Sequence, residues 1–127
     1  MTGFCILLKS CKSEQQIKYE QYVIAGEALY TRHCANCHGR NGEGLRNLYP
    51  ALDQSAKLGE TAYLVCLIQN GTTGKTINMP ANNDLYAIDI AQIITYLNER
   101  WGEKKMTETE EVAKIACGES EKIKVKN

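Results

Sequence analysis

The stretch Cys34-Ala35-Asn36-Cys37-His38 decides how this chain is read. It has the form C-x-x-C-H, the attachment sequence for a c-type haem. On this reading two thiols add across the two vinyl groups of the porphyrin. A two-residue spacer on a helical turn brings both sulfurs to one edge of the ring, and the adjacent histidine supplies an axial nitrogen to the iron. Two other readings compete. A thioredoxin-like C-x-x-C needs a βαβ setting, whereas the flanking segments here read as helix with no strand before the motif. A zinc site wants two more Cys or His ligands at compact spacing. His33 is the only other histidine, and the remaining cysteines are distant in sequence.

Working outward, the 127 residues fit one domain. Fifteen basic residues balance fifteen acidic ones, which disfavours a nucleic-acid binder that works by neutralising phosphates. No apolar run approaches the roughly 18 residues of a membrane helix. Six cysteines in so short a chain first suggest a disulfide framework or a metal site. The motif claims Cys34 and Cys37. Cys66, inside an apolar segment, is expected as a small core residue. Cys5 and Cys117 receive no role.

A histidine-ligated iron needs a sixth ligand or an open site, and methionine is the usual electron-transfer choice. Met1 is the start residue and Met106 stands in a charged tail. Met79, in Asn78-Met79-Pro80, follows the glycine-rich stretch Asn70-Gly71-Thr72-Thr73-Gly74-Lys75. Glycines and a following proline mark irregular chain that can curve round a disc-shaped ligand. Met79 is therefore the candidate second axial ligand. A ligating histidine usually donates its other N–H to a carbonyl or carboxylate, and the Pro50 carbonyl, a short loop after His38, is the candidate acceptor. Asn82 or Asn78 is a candidate donor to the Met79 sulfur, with turn chemistry as the plainer role. Arg46 and Lys75 flank the presumed crevice, where a solvated surface charge is the plainer role for each.

Three segments follow. Residues 1–22 read as an N-terminal anchor or linker, polar from Lys12 to Tyr22. Residues 23–102 carry the motifs. Residues 103–127 form a charged tail, with a short helix running to Ala116 after the capping-box spacing at Thr107, then disorder. Within the middle segment, helices are expected over 24–33, 60–69 and 86–100. In the last, Ile90, Ile93, Ile94 and Leu97 occupy i, i+3, i+4 and i+7. Asp84 is its expected N-cap or first-turn acid and Gly102 its stop. Gly26 permits another helix to cross closely, with Tyr30 and Tyr96 as partners at the crossing.

With these motifs in order, the sequence resembles the class I c-type cytochromes, especially small bacterial monohaem members. The matching residues are Gly26-Glu27-Ala28-Leu29-Tyr30, Cys34 to Gly39, Tyr49-Pro50-Ala51-Leu52, Asn78-Met79-Pro80-Ala81-Asn82, and Asp89 to Gly102. Ala51 stands where many members carry a second proline. The resemblance implies an all-α cytochrome c fold, about three to five helices wrapped around one covalently bound haem c. It implies thioethers at Cys34 and Cys37, and His38 and Met79 as axial ligands. It implies a non-enzymatic one-electron carrier cycling Fe(II)/Fe(III) in a bacterial respiratory or periplasmic redox chain, with redox proteins as partners. The alternatives are a cytochrome subunit of a larger dehydrogenase or reductase, and a haem enzyme or gas-binding protein with an open sixth site.

Haem attachment of this kind occurs outside the cytoplasmic membrane in that family, so export is implied. The N-terminus lacks a basic n-region, and its apolar patch from Phe4 to Leu8 falls short of a secretory signal. If the true start lies upstream, Leu8-Lys9-Ser10-Cys11 resembles a lipoprotein cleavage site, with Cys11 as the lipidated first residue. That would tether the protein to a membrane without a span.

Overall fold

The computed structural model describes residues 11–73 and 77–118; Cys5, Lys75 and the tail beyond Gly118 lie outside the described residues. Among the described residues five helices succeed one another: α1 (Glu14–His33), α2 (Ala35–His38), α3 (Thr61–Asn70), α4 (Ala87–Trp101) and α5 (Thr109–Lys114). Among the described residues there is no strand. Two isolated antiparallel bridges, Leu45 with Tyr49 and Thr72 with Met79, pinch the long connections. The all-α expectation stands.

Helix α1 begins well before the expected Ile24. Ser13 caps it, its Oγ accepting from the Gln16 N–H at 3.1 Å. Residues 14–22, expected as linker, are therefore its opening turns. They show no apolar stripe because their partners are polar. The Lys18 ammonium reaches Glu108 at 2.7 Å, the Tyr22 hydroxyl meets Thr109 Oγ1 at 2.7 Å, and the Tyr19 hydroxyl donates to Glu99. The N-terminal half of α1 is thus held by the end of α4 and by the tail.

The C-terminal half of α1 crosses α4 at Gly26. A Cβ there would stand 2.0 Å from the Gln92 carbonyl oxygen and 2.7 Å from Tyr96 Cβ, so only glycine permits this approach. One turn on, the rings of Tyr30 and Tyr96 sit 5.4 Å apart and Trp101 closes edge-on over Tyr30 at 5.6 Å, aromatic geometry favoured by the ring quadrupoles. The expected crossing is present, and Trp101 adds to it. Ile90, Ile93, Ile94 and Leu97 fill the core with Leu64, Val65 and Ile68 of α3.

Helix α4 starts after Tyr86, whose N–H donates to Asp89 Oδ2 at 2.8 Å. Asp84, the expected N-cap or first-turn acid, precedes the helix and makes no such bond. Gly102 stops α4 as expected, its N–H donating to the Asn98 carbonyl at 3.1 Å. The chain then returns along α4. The Thr107 N–H donates to Thr95 Oγ1 at 3.0 Å inside the core, and Val112 of α5 is buried.

The tail is also fixed covalently. Cys66 on α3 and Cys117 after α5 form a disulfide. This corrects the reading of Cys66 as a plain core residue and gives Cys117 a role. Cys66 is only half-buried, on the side of α3 that the tail reaches.

Candidate functional site

Helix α1 delivers the motif directly. The Cys34 N–H still bonds the Tyr30 carbonyl at 2.8 Å, and the His38 N–H bonds the Cys34 carbonyl at 2.9 Å. Cys34, Cys37 and His38 therefore share one helical turn. The buried Tyr30 hydroxyl donates to the Gly39 carbonyl at 2.6 Å and fastens the turn's exit to α1; sequence reasoning gave Tyr30 only a packing role. Both motif thiols are free and half-buried. Burial, with the neighbouring Cys37 sulfur adding to it, pushes the Cys34 thiol up to about 11, so it is a neutral thiol at physiological pH.

The loop after the motif folds back onto His38. The His38 ring Nδ1 lies 2.9 Å from the Pro50 carbonyl oxygen. A carbonyl only accepts, so Nδ1 carries a proton, and in the neutral ring this leaves the lone pair on Nε2. The Gly44 N–H bonds the His38 carbonyl at 2.7 Å, and the Leu52 N–H bonds the Gly42 carbonyl at 2.7 Å. The ring and the backbone of His38 are thus both held by the same loop.

Met79 lies in the second pinched loop, exchanging two backbone hydrogen bonds with Thr72 at 2.9 and 3.0 Å. Asn82 or Asn78 was a candidate donor to the Met79 sulfur, with turn chemistry the plainer role, and Asn82 takes the plainer one. Its side-chain N–H and its backbone N–H instead approach the Ile68 carbonyl, at 3.4 and 3.1 Å. The reason is local. Thr72, the residue whose N–H would normally serve that carbonyl in a continuing helix, donates to Met79, so Ile68 is left needing a donor. Asn78 is exposed, as is Arg46. Cys11 is an exposed free thiol just ahead of the α1 cap.

The rival zinc reading finds no support: among the described residues, no three His, Cys, Asp or Glu side chains gather to hold an ion. The surroundings suit a flat apolar group instead. The two loops that carry Pro50 and Met79 leave the apolar side chains of Leu45, Leu48 and Ile77 exposed, available to cover such a group. Two free thiols and a histidine on one turn, with a methionine in a second pinched loop, are the side-chain types from which a covalent haem c is held. The sequence patterning of the glycine-bracketed loops could have revealed these three apolar residues.

Comparison with known proteins agrees. Residues 23–97, more than half of the chain, match the family described as cytochrome c oxidase, cbb3-type, subunit III. No curated protein matches. Cytochrome CL from the marine methylotrophic bacterium Methylophaga aminisulfidivorans MPT is similar in structure. It has a TM-score of 0.52 and 19% identity, with 94% of this chain and 89% of that chain covered, a likeness of fold alone. No helix among the described residues is long and apolar enough to cross a membrane. The chain belongs to the cbb3-type subunit III family and is a small class I c-type cytochrome, a haem-based electron-transfer protein.

Proposed function

We propose that this protein is a one-electron carrier with a single haem c, attached through Cys34 and Cys37 and ligated by His38 and Met79, that works outside the cytoplasmic membrane. The observation that carries this reading is the His38–Pro50 hydrogen bond at 2.9 Å. It sets the tautomer, orients the ring and makes Nε2 a stronger donor, as the partner of a metal-bound histidine does. When bound, haem c supplies the Fe(II)/Fe(III) couple. The protein's part is to hold still. The α1–α4 crossing and the tethered loop keep His38 in one geometry, and the Met79 thioether, a soft ligand, favours the reduced state.

Spectroscopy of the ferric holoprotein tests this. A methionine–iron charge-transfer band is expected, and Met79→Ala should abolish it, lower the reduction potential and let the ferrous form bind carbon monoxide. Wild-type protein that is high-spin and binds carbon monoxide freely would instead establish an open sixth site.

The family match favours a second, compatible role as the electron-transfer subunit of a larger oxidoreductase. Co-purification from native membranes at fixed stoichiometry with such an enzyme would establish it; a solely monomeric protein would count against it. Cys11 is the proposed lipid site. Because α1 begins at Glu14, only Lys12 and Ser13 would separate the anchor from the folded domain, which would hold it close to the membrane. An unmodified Cys11 in the mature native chain, seen by mass spectrometry, ends that idea.

A further inference from the structure

The two pinched loops are built alike. In the first, Gly44 has φ +63°, and the next residue, Leu45, pairs with Tyr49, followed by Pro50 and Ala51. In the second, Gly71 has φ +68°, and the next residue, Thr72, pairs with Met79, followed by Pro80 and Ala81. A Cβ on Gly44 would stand 2.4 Å from the Tyr49 carbonyl oxygen and 2.8 Å from both the Pro50 carbonyl carbon and the Ala51 nitrogen. A Cβ on Gly71 would stand 2.3 Å from the Met79 carbonyl oxygen and 2.8 Å from the Pro80 carbonyl carbon and the Ala81 nitrogen. The same left-handed glycine therefore lies against the same three backbone groups, in loops of different length.

Each clamp carries one half of the candidate ligand set. The first presents the Pro50 carbonyl to His38, and the second contains Met79. Both positions demand glycine twice over: the positive φ disfavours any L side chain, and the neighbouring atoms are backbone, which cannot swing aside. We infer that Gly44 and Gly71 are positioning residues, a matched pair of backbone clamps that fix the hydrogen-bond acceptor of one axial ligand and the register of the other. This rests on the His38/Met79 ligation proposed above.

The test compares Gly71→Ala, Gly44→Ala and Gly59→Ala holoproteins with the wild type. Gly59 has no heavy atom within 4 Å of an added Cβ, so its variant is the control. Gly71→Ala should lose the methionine–iron charge-transfer band and gain carbon monoxide binding while keeping its covalent haem. Gly44→Ala should keep the band, but its potential should rise, because a less basic imidazole stabilises ferric iron less. Gly59→Ala should match the wild type in both. Clamp variants that lose thermal stability yet keep wild-type band and potential would overturn the inference, leaving the glycines merely structural. If either variant fails to fold, amide exchange in the ferrous wild type still decides. The Thr72 and Met79 N–H groups of the Gly71 clamp, and the Leu45 and Tyr49 N–H groups of the Gly44 clamp, should be protected well beyond those of the exposed loop residues, and exchange at loop rates overturns the clamp concerned. Absence of the band in the wild type itself, with no response to Met79→Ala, would mark failure of the ligation reading rather than of the clamps.

Discussion

A methyl group at Gly26 would sit 2.0 Å from the Gln92 carbonyl oxygen and 2.7 Å from Tyr96 Cβ. Gly26→Ala gains about 1 kcal/mol of helix propensity but forces two packed helices apart, which costs about 1–3 kcal/mol. The contact is with backbone, so the second effect wins. The variant holoprotein should unfold at a lower temperature, by a loss of about 1–2 kcal/mol; an unchanged midpoint would show that the crossing yields more easily than it does here. This residue was legible in the sequence because a glycine inside a helical segment asks for a close neighbour. Asn82 was not legible in the same way. Its partner depends on which carbonyl the fold leaves without a donor, and Ile68 is in that position only because Thr72 turns to Met79.

Helix α1 joins two kinds of surface. Its second half packs on α4 through Gly26 and Tyr30; its first half is gripped through polar groups. Tyr19 belongs to the first half. Desolvation, then its hydrogen bond to Glu99, pushes its hydroxyl up to about 12 from an ordinary 10. A raised folded value means that Tyr19 contributes its full stabilisation below pH 10, and that this is lost as pH rises through 12. Alkaline unfolding should therefore show a loss between those values that Tyr19→Phe removes; a Phe variant with the same alkaline slope would place the loss elsewhere. The polar grip also explains why residues 14–22 read as linker. Helical periodicity detects a stripe facing an apolar core, whereas this half of α1 faces Glu108, Thr109 and Glu99. α3 and α4 bury continuous apolar faces, and their bounds were legible to within a residue.

At the scale of the whole molecule, the tail is a strap. Its described part runs from Gly102 back along α4, buries Thr107 and Val112, and is held by the Cys66–Cys117 bond, which joins residues 51 apart in sequence. Closing a loop of that length stabilises the fold by about 4 kcal/mol on the chain-entropy account. A Cys66→Ser, Cys117→Ser double variant should lose about 2–4 kcal/mol in denaturant unfolding of the holoprotein, with the haem spectrum at low denaturant unchanged. A loss below about 0.5 kcal/mol would mean that the non-covalent strap contacts suffice alone. This pairing was beyond the sequence. Cys66 sits in an apolar helix and Cys117 in a charged tail, and nothing local links them. The motif cysteines were legible because their partner is two residues away.

The same bond turns part of the chain into a closed ring. Residues 66 to 117 form a covalent circle that contains Met79 and all of α4, while Cys34, Cys37 and His38 lie outside it. One peptide-bond cleavage anywhere between the two half-cystines opens the circle but releases no fragment. A protease that nicks the methionine loop would leave a protein of almost unchanged mass until a thiol reductant is added. Both fragments would remain fastened to α3, so Met79 would stay at high effective concentration beside the iron site proposed for it.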